Sequence, residues 1–215
     1  MSFEVLAPIY RLMERVLAGS KLHLCRCVFL ERIPTPKKIL ILGEGPGRFV
    51  VECVRRFPNA AITCMEESAG MISQAKANLA HCGLPSDKVT FIQADILKSP
   101  PPNGAFDLIV THFFLDCFQP EQLEALVPSI AQAGTKDSHW LLADFQEAAS
   151  GWKRWRSRCI LASMYAFFRV VTRLPATSLT PPDLHLMRAG FILRERVETE
   201  WGLLKSDWWV RPNAG

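Results

Sequence analysis

Apolar positions along this chain follow two periodicities that alternate. Ile39-Leu40-Ile41-Leu42, Ala61-Ile62-Thr63-Cys64-Met65, Val89-Thr90-Phe91-Ile92-Gln93, Ala105 to Val110 and Ser138 to Ala143 are short, largely apolar runs, and we read them as buried strands. Between them, apolar residues recur at helical spacing: over Phe49 to Arg56, then at Met71, Ile72, Ala75 and Leu79 before a stop at Gly83, and over Pro120 to Gln132. Strand and helix in turn predict an α/β domain around a parallel sheet. Ahead of the first strand, Val5, Ile9, Leu12, Met13, Val16 and Leu17 keep helical spacing. Leu22, Cys25, Val28, Phe29 and Ile33 do so again after Gly19-Ser20. Residues 1–37 are therefore expected to be two helices ended by Pro34 and Pro36, and 38–215 the main domain. Near the other end, Asp183 to Gly190 reads as a short helix, and Phe191 to Val197 and Leu203 to Val210 read as two further strands.

The first strand ends abruptly in Gly43-Glu44-Gly45-Pro46-Gly47-Arg48, and the second ends in Glu66-Glu67-Ser68. Alternate glycines let the backbone bend sharply and let a ligand come nearer than a Cβ permits, while the N–H groups of the next helix face the same place. An acid at the tip of the second strand suits a ribose diol. The spacing is that of an adenosine-containing cofactor site. A dinucleotide fold expects G-x-G-x-x-G, whereas this loop is G-x-G-x-G followed by Arg48. Taken alone the loop is equally a tight turn. Support comes from the third and fourth strands, which end in Asp95-Ile96 and in Thr111-His112.

These residues resemble the class I S-adenosylmethionine-dependent methyltransferases of small-molecule type, over roughly Ile39 to Val210. The likeness is carried by the strand running into G-x-G-x-G, the acid-x-Ser at Glu66 and Ser68, the acid Asp95, the Phe106-Asp107 strand, and Leu186-Met187-Arg188-Ala189-Gly190-Phe191. It implies a doubly wound, seven-stranded, mostly parallel sheet with helices on both faces and strand seven antiparallel. It also implies S-adenosylmethionine as the cofactor, held by Gly43, Glu44, Gly45 and Gly47. Glu66 would take the ribose, with Glu67 able to exchange roles, and Asp95 would take the adenine amine beside Ile96 and Thr111. The family usually has Asp two residues before the first glycine; this chain has Ile41 there, so that either Glu44 takes over the contact to the cofactor's amino group or that contact is missing. Two readings compete: a module that binds the cofactor without catalysis, and an NAD-dependent oxidoreductase, which Arg48 and Asp95 count against.

The reacting end is expected beyond strand four, because ligands of an open parallel sheet lie past the carboxyl ends of its strands. There His112 could take a proton from a hydroxyl acceptor and Asp116 could orient it or act as the base. The alternatives are a histidine that only stacks and an acid that caps the helix beginning near Gln119. Between Glu147 and Asp183 there is no acid, while Lys153, Arg154, Arg156, Arg158, Arg169 and Arg173 are basic. Helical spacing puts Ile160, Met164, Phe167, Val171 and Leu174 on one face and Arg154, Arg158, Tyr165, Arg169 and Arg173 on another. The resemblance implies a helical lid here, an insert over about 148–182, whose Tyr165 meets the acceptor. A solvated cationic face, or peripheral contact with an anionic membrane through about 152–174, are the other readings. The resemblance also implies leading helices over the pocket, with Tyr10 a candidate there; the alternative is a tyrosine packed beside the apolar stripe with its hydroxyl in water.

Composition narrows little beyond this. The 215 residues and 24.2 kDa fit one domain, and 49% hydrophobic residues allow a large core. A net charge of +4 without a long single-sign run argues for a small-molecule substrate and against a nucleic-acid surface. Seven cysteines with no C-x-x-C pair suggest reduced, buried thiols in a cytoplasmic protein, and no run reaches the length of a membrane span. No metal constellation stands out.

Overall fold

The computed structural model describes residues 20–172 and 179–212, the side chains of 165–172 excepted. The helix expected before Gly19, with Tyr10, lies outside the described residues. In chain order the elements are α1 (Ser20–Cys27), β1 (Lys38–Leu42), α2 (Arg48–Arg56), β2 (Ala61–Glu66), α3 (Ala69–His81), β3 (Val89–Gln93) and β4 (Phe106–His112). There follow α4 (Pro120–Ala133), β5 (Gly134–Phe145), α5 (Gly151–Thr172), α6 (Asp183–Arg188), β6 (Ile192–Thr199) and β7 (Leu204–Val210).

The strands form one sheet in the order β3-β2-β1-β4-β5-β7-β6. The first five are parallel, and β7 runs antiparallel to both β5 and β6. β1 shows why an unbroken apolar run was needed. Ile39 and Ile41 face one core cluster with Phe49, Val50 and Val54 of α2, while Leu40 and Leu42 face a second with Leu123, Val127 and Ile130 of α4. A strand covered on both faces has no polar side to show. The chain steps from β1 to β2 in one direction and from β3 to β4 in the other, so the crossovers part between β1 and β4, where an open sheet leaves a crevice.

Two departures from the sequence reading have plain causes. β5 starts at Gly134 rather than Ser138, because Gly134 pairs with Phe106 and the polar Thr135-Lys136-Asp137 is taken up in the register shift before His139 pairs with Leu108. Asp107, in that irregularity, accepts from the N–H groups of Lys37 and Lys38 at 2.8 and 2.9 Å and so ties the entry to β1. The thiols are only partly as expected: Cys25, Cys53 and Cys64 are buried, but Cys82 and Cys159 are exposed, and all seven are free.

β7, read as an aromatic strand, also buries Lys205 and Asp207. Lys205 Nζ donates to Asp183 Oδ2 at 2.6 Å. Arg196 donates to both oxygens of Asp207, at 2.6 and 2.7 Å, and also to Asp183. Two cations and two carboxylates thus fasten the start of α6 to the antiparallel edge of the sheet. Removing one member leaves buried charge uncompensated. Asp207→Ala is expected to lower stability by about 3–5 kcal/mol, measured by urea unfolding.

Candidate active site

The glycine loop owes its shape to left-handed backbone at Gly43, Gly45 and Gly47, with φ of 63°, 64° and 79°. Gly43 and Gly47 are closely packed: a Cβ would fall 2.1 Å from the Phe114 ring at Gly43 and 2.5 Å from Ala75 Cβ at Gly47. Gly45 is different. A Cβ there would meet nothing nearer than Met71 Sδ at 3.9 Å, so the middle of the loop borders open space where a ligand can approach the backbone.

Glu66 organises that space. Its Oε2 accepts from the Gly45 N–H at 3.1 Å and its Oε1 from the Ser68 N–H at 3.0 Å, while Ser68 Oγ caps α3 by accepting from Met71 at 3.2 Å. The acid-x-Ser spacing therefore does two tasks, one for the helix and one for the loop. Burial pushes the Glu66 carboxyl above its ordinary range, opposed by those N–H donors. The next strand tip is joined to the same residue, since the Ala94 N–H donates to the Glu66 carbonyl at 3.1 Å. Asp95 follows at once. It accepts from Leu97 N–H at 3.0 Å and pairs with Lys98 at 2.9 Å, which holds its carboxyl below the usual carboxylate range. Gly45, Glu66 and Asp95 thus stand on adjoining strand tips.

Other residues of the set are placed as follows. Glu44 is buried and its Oε1 accepts from the Phe49 N–H at 2.6 Å, so this carboxylate closes the first turn of α2. Glu67 is exposed, and its carbonyl accepts from Gln93 Nε2 at 3.2 Å. Ile96 is half-buried and packs toward the α4 side of the sheet with Phe114. Thr111 is buried, and its Oγ1 accepts from Trp140 Nε1–H at 2.8 Å, which engages the hydroxyl in the core.

At the end of β4 the backbone is strained: Phe113 has φ of 52°, left-handed for a residue with a ring. The Phe113 N–H donates to the Ala143 carbonyl at 2.7 Å, and its ring packs edge-on to Phe145 at 5.1 Å. His112 is buried and edge-on to Phe49 at 4.4 Å, and its Nδ1 has no hydrogen-bond partner. Burial, aided by Arg26, holds its pKa well below the ordinary value, so the ring is neutral. Asp116 is buried in the 3-10 turn Leu115–Cys117, where Cys117 Sγ donates to it at 3.6 Å. Burial raises its pKa to about 6. Asp144, buried at the tip of β5, is raised well above its ordinary value, first by burial and then by the charge of Asp116. The two carboxyls therefore titrate as a pair. The place of Asp144 at a strand tip is visible in the sequence; its burial is not.

A cavity of about 540 Å³ opens past the end of β5, under α5. Phe145, Leu161, Leu179 and Pro181 supply apolar wall, and Arg158, Arg196, Lys205, Glu147 and Asp183 supply charge. Ile160 and Met164 of α5 pack inward with Leu161, Leu203 and Phe145, as their spacing predicted. Tyr165 belongs to α5, but its side chain lies outside the described ones. Among the described residues no group of three His, Cys, Asp or Glu side chains is arranged to hold a metal ion.

Comparison with known proteins decides what this arrangement belongs to. Residues 39–137 match the family model for a methyltransferase domain. Over those residues, somewhat under half of the chain, the sequence is similar to a methyltransferase domain, which supports a class I S-adenosylmethionine-dependent methyltransferase. It is 35% identical over 101 residues to malonyl-[acyl-carrier protein] O-methyltransferase of Geobacter sulfurreducens, covering 47% of this chain and 33% of that protein. It is 34% identical over 113 residues to demethylmenaquinone methyltransferase of Thermus thermophilus, covering 52% of this chain and 50% of the other. The matches thus span between a third and a half of these relatives. The solved structure of a SAM dependent methyltransferase from Aquifex aeolicus superposes with a TM-score of 0.62 at 14% identity, covering 94% of this chain and 98% of that one, a likeness of fold. Nothing in these likenesses favours the oxidoreductase alternative.

The buried acid of this methyltransferase domain has a testable cost. The folded pKa of Asp116, about 6, lies above its ordinary 3.8, so the group favours the fold most at low pH, and that contribution is lost as pH rises through about 6. Asp116→Asn cannot ionise. Near pH 8 it is expected to be more stable than the parent by about 1–3 kcal/mol, and near pH 4 about equal, measured by urea unfolding at both values.

Proposed function

We propose that this chain transfers the methyl group of S-adenosylmethionine to a small-molecule acceptor of lipophilic or anionic character, in the cytoplasm. The observation that carries the reading is the Glu66 carboxylate, joined to the Gly45 N–H at 3.1 Å on one side and, through its carbonyl, to the segment leading into Asp95 on the other. The open space at Gly45 supports a cofactor lying against the loop. Its sulfonium supplies an already electrophilic methyl group, so the protein's work is to orient the partners and exclude water.

In this reading Glu66 accepts from the ribose hydroxyls and Asp95 from the adenine amine, both being acceptors facing donors. Gly43, Gly45 and Gly47 keep the loop open, Ile96 flanks the base, and Glu44 and Thr111 shape the cradle from behind through their bonds to Phe49 and Trp140. Glu67 remains the alternative ribose acid. Phe113, Phe114 and Phe145 close the reacting end against water. The cavity under α5 takes the acceptor: its apolar wall suits a lipophilic body and Arg158 an anionic group. Asp116 receives the acceptor's proton when the methyl acceptor is a hydroxyl. Asp144, raised by burial and by the charge of Asp116, titrates together with it, and Asp116, at about 6, is the member of the pair assigned the base role. His112, neutral and packed on Phe49, orients the tip of β4. Tyr165 is retained as an acceptor-side residue on the strength of the resemblance. The net charge of +4 and the walled cavity support a small molecule over a nucleic acid.

Calorimetry with S-adenosylmethionine, S-adenosylhomocysteine and NAD tests the first step: the two sulfur nucleosides are expected to bind and NAD not to. Glu66→Ala should weaken their binding about 10- to 100-fold, the loss of a charged hydrogen-bonding group. Turnover on lipophilic and anionic small acceptors, with RNA as a contrast, tests the second. Asp116→Asn is expected to lower kcat about 10²- to 10⁴-fold with cofactor affinity kept, and the parent's rate should rise with pH through about 6. Binding without turnover on any acceptor would favour the non-catalytic module instead.

A further inference from the structure

Helix α5 turns one face to the protein and another to solvent, and the solvent face is not the plain cationic surface its composition suggests. Ser157 and Leu161 are buried, and Ile160 and Met164 pack beside Leu161. On the other side Trp152 is 62% and Trp155 73% exposed, and the exposed Cys159, Ala162 and Ser163 continue the same stripe. At helical pitch these five positions fall within roughly 100° of arc. The stripe is aromatic and small, with Arg154 and Arg158 along one border.

A third indole joins it from another part of the chain. Trp201 is 56% exposed on a turn whose Glu200 and Trp201 both have left-handed backbone, φ 53° and 57°. Such backbone is unfavourable for residues with a Cβ and persists only where its surroundings fix it. Here Arg156 of α5 lies 4.8 Å from the Trp201 ring centre and donates to the Glu200 carbonyl at 3.3 Å. Exposed tryptophans are costly in water unless something covers them.

Charge indicates what does. Lys153, Arg154, Arg156 and Arg158 share the helix with Trp152 and Trp155, Arg156 lies over the Trp201 ring, and Lys21 pairs with Glu200 beside it. Among the described residues the acids nearby are Glu147, which accepts from Arg154 at 2.5 Å and lies 3.6 Å from Arg158, Glu200, which pairs with Lys21 at 2.6 Å, and Glu198 beside Gly202. The cations outnumber the acids, and none of the acids is on the helix. Indoles with an apolar body and an N–H suit the headgroup level of a bilayer, and arginines at the border of an apolar stripe can reach lipid phosphates without leaving the helix surface. No helix among the described residues is long and apolar enough to cross a membrane, so this one would lie in the surface plane.

We propose that the outward stripe of α5, together with Trp201, seats the protein on an anionic lipid bilayer, with Trp152, Trp155 and Trp201 at headgroup level and Lys153, Arg154 and Arg158 on lipid phosphates. Arg158 and Ala162 also wall the cavity under the helix, so an amphiphile leaving the bilayer would meet that cavity along the same element. The docking itself does not depend on the methyl-transfer reading.

Flotation of the full chain with vesicles provides the test, using phosphatidylcholine alone and phosphatidylcholine mixed with phosphatidylglycerol. Binding is expected to the mixed vesicles, and to be about ten-fold weaker or more on neutral vesicles or in high salt. The double variant Trp152→Ala/Trp155→Ala should lose binding to mixed vesicles about ten-fold or more, with its thermal midpoint unchanged. Absence of binding to mixed vesicles, or equal binding by the double variant, overturns the proposal. So does analytical ultracentrifugation in which the parent is a dimer and the double variant a monomer, since a second copy would then own the stripe.

Discussion

One carboxylate holds the open end of this sheet together. Glu66 accepts two N–H groups from two different turns, the glycine loop after β1 and the start of α3, while its own carbonyl receives the strand leading to Asp95. Each bond is modest alone. Their common acceptor makes the positions of three strand tips mutually dependent, so the cradle is fixed by hydrogen bonds that do not need a ligand to form. Such preorganisation lowers the ordering cost of binding.

Beneath the cradle the sheet tolerates more buried charge than its apolar strands suggest. Asp116 and Asp144 share dry surroundings and cannot both ionise cheaply, whereas Asp183, Arg196, Lys205 and Asp207 neutralise one another at the antiparallel edge. The second group is paired and structural. The first is unbalanced, and burial lifts Asp116 to about 6, while burial and the charge of Asp116 lift Asp144.

Helix α5 connects these themes. Its inner face is apolar and roofs the cavity with Leu161, while its outer face leaves Trp152 and Trp155 mostly exposed. One helix therefore bounds both the cavity and the outer surface.

The sequence by itself determined the alternation of strands and helices, the glycine loop, and the acids at the tips of β2 and β3. These follow from local rules: a doubly covered strand must be wholly apolar, a left-handed turn wants glycine, and Ser68 caps the helix that starts after it. Helix and strand spans from β1 to α4 were legible for that reason. Only the tertiary structure decided the rest. Polar Thr135 to Asp137 became an irregularity inside β5, bracketed by the Gly134–Phe106 and His139–Leu108 pairs, and Lys205 and Asp207 became buried through partners from β6 and α6. Thr111 and Glu44 turned their oxygens to Trp140 and Phe49. The burial that moves Asp116 and Asp144 comes from segments far apart in the chain. The outward face of α5 was hidden for the same reason, because helical spacing sorts residues into faces but only packing against β5 and the turn at Leu203 fixes which face is left to solvent.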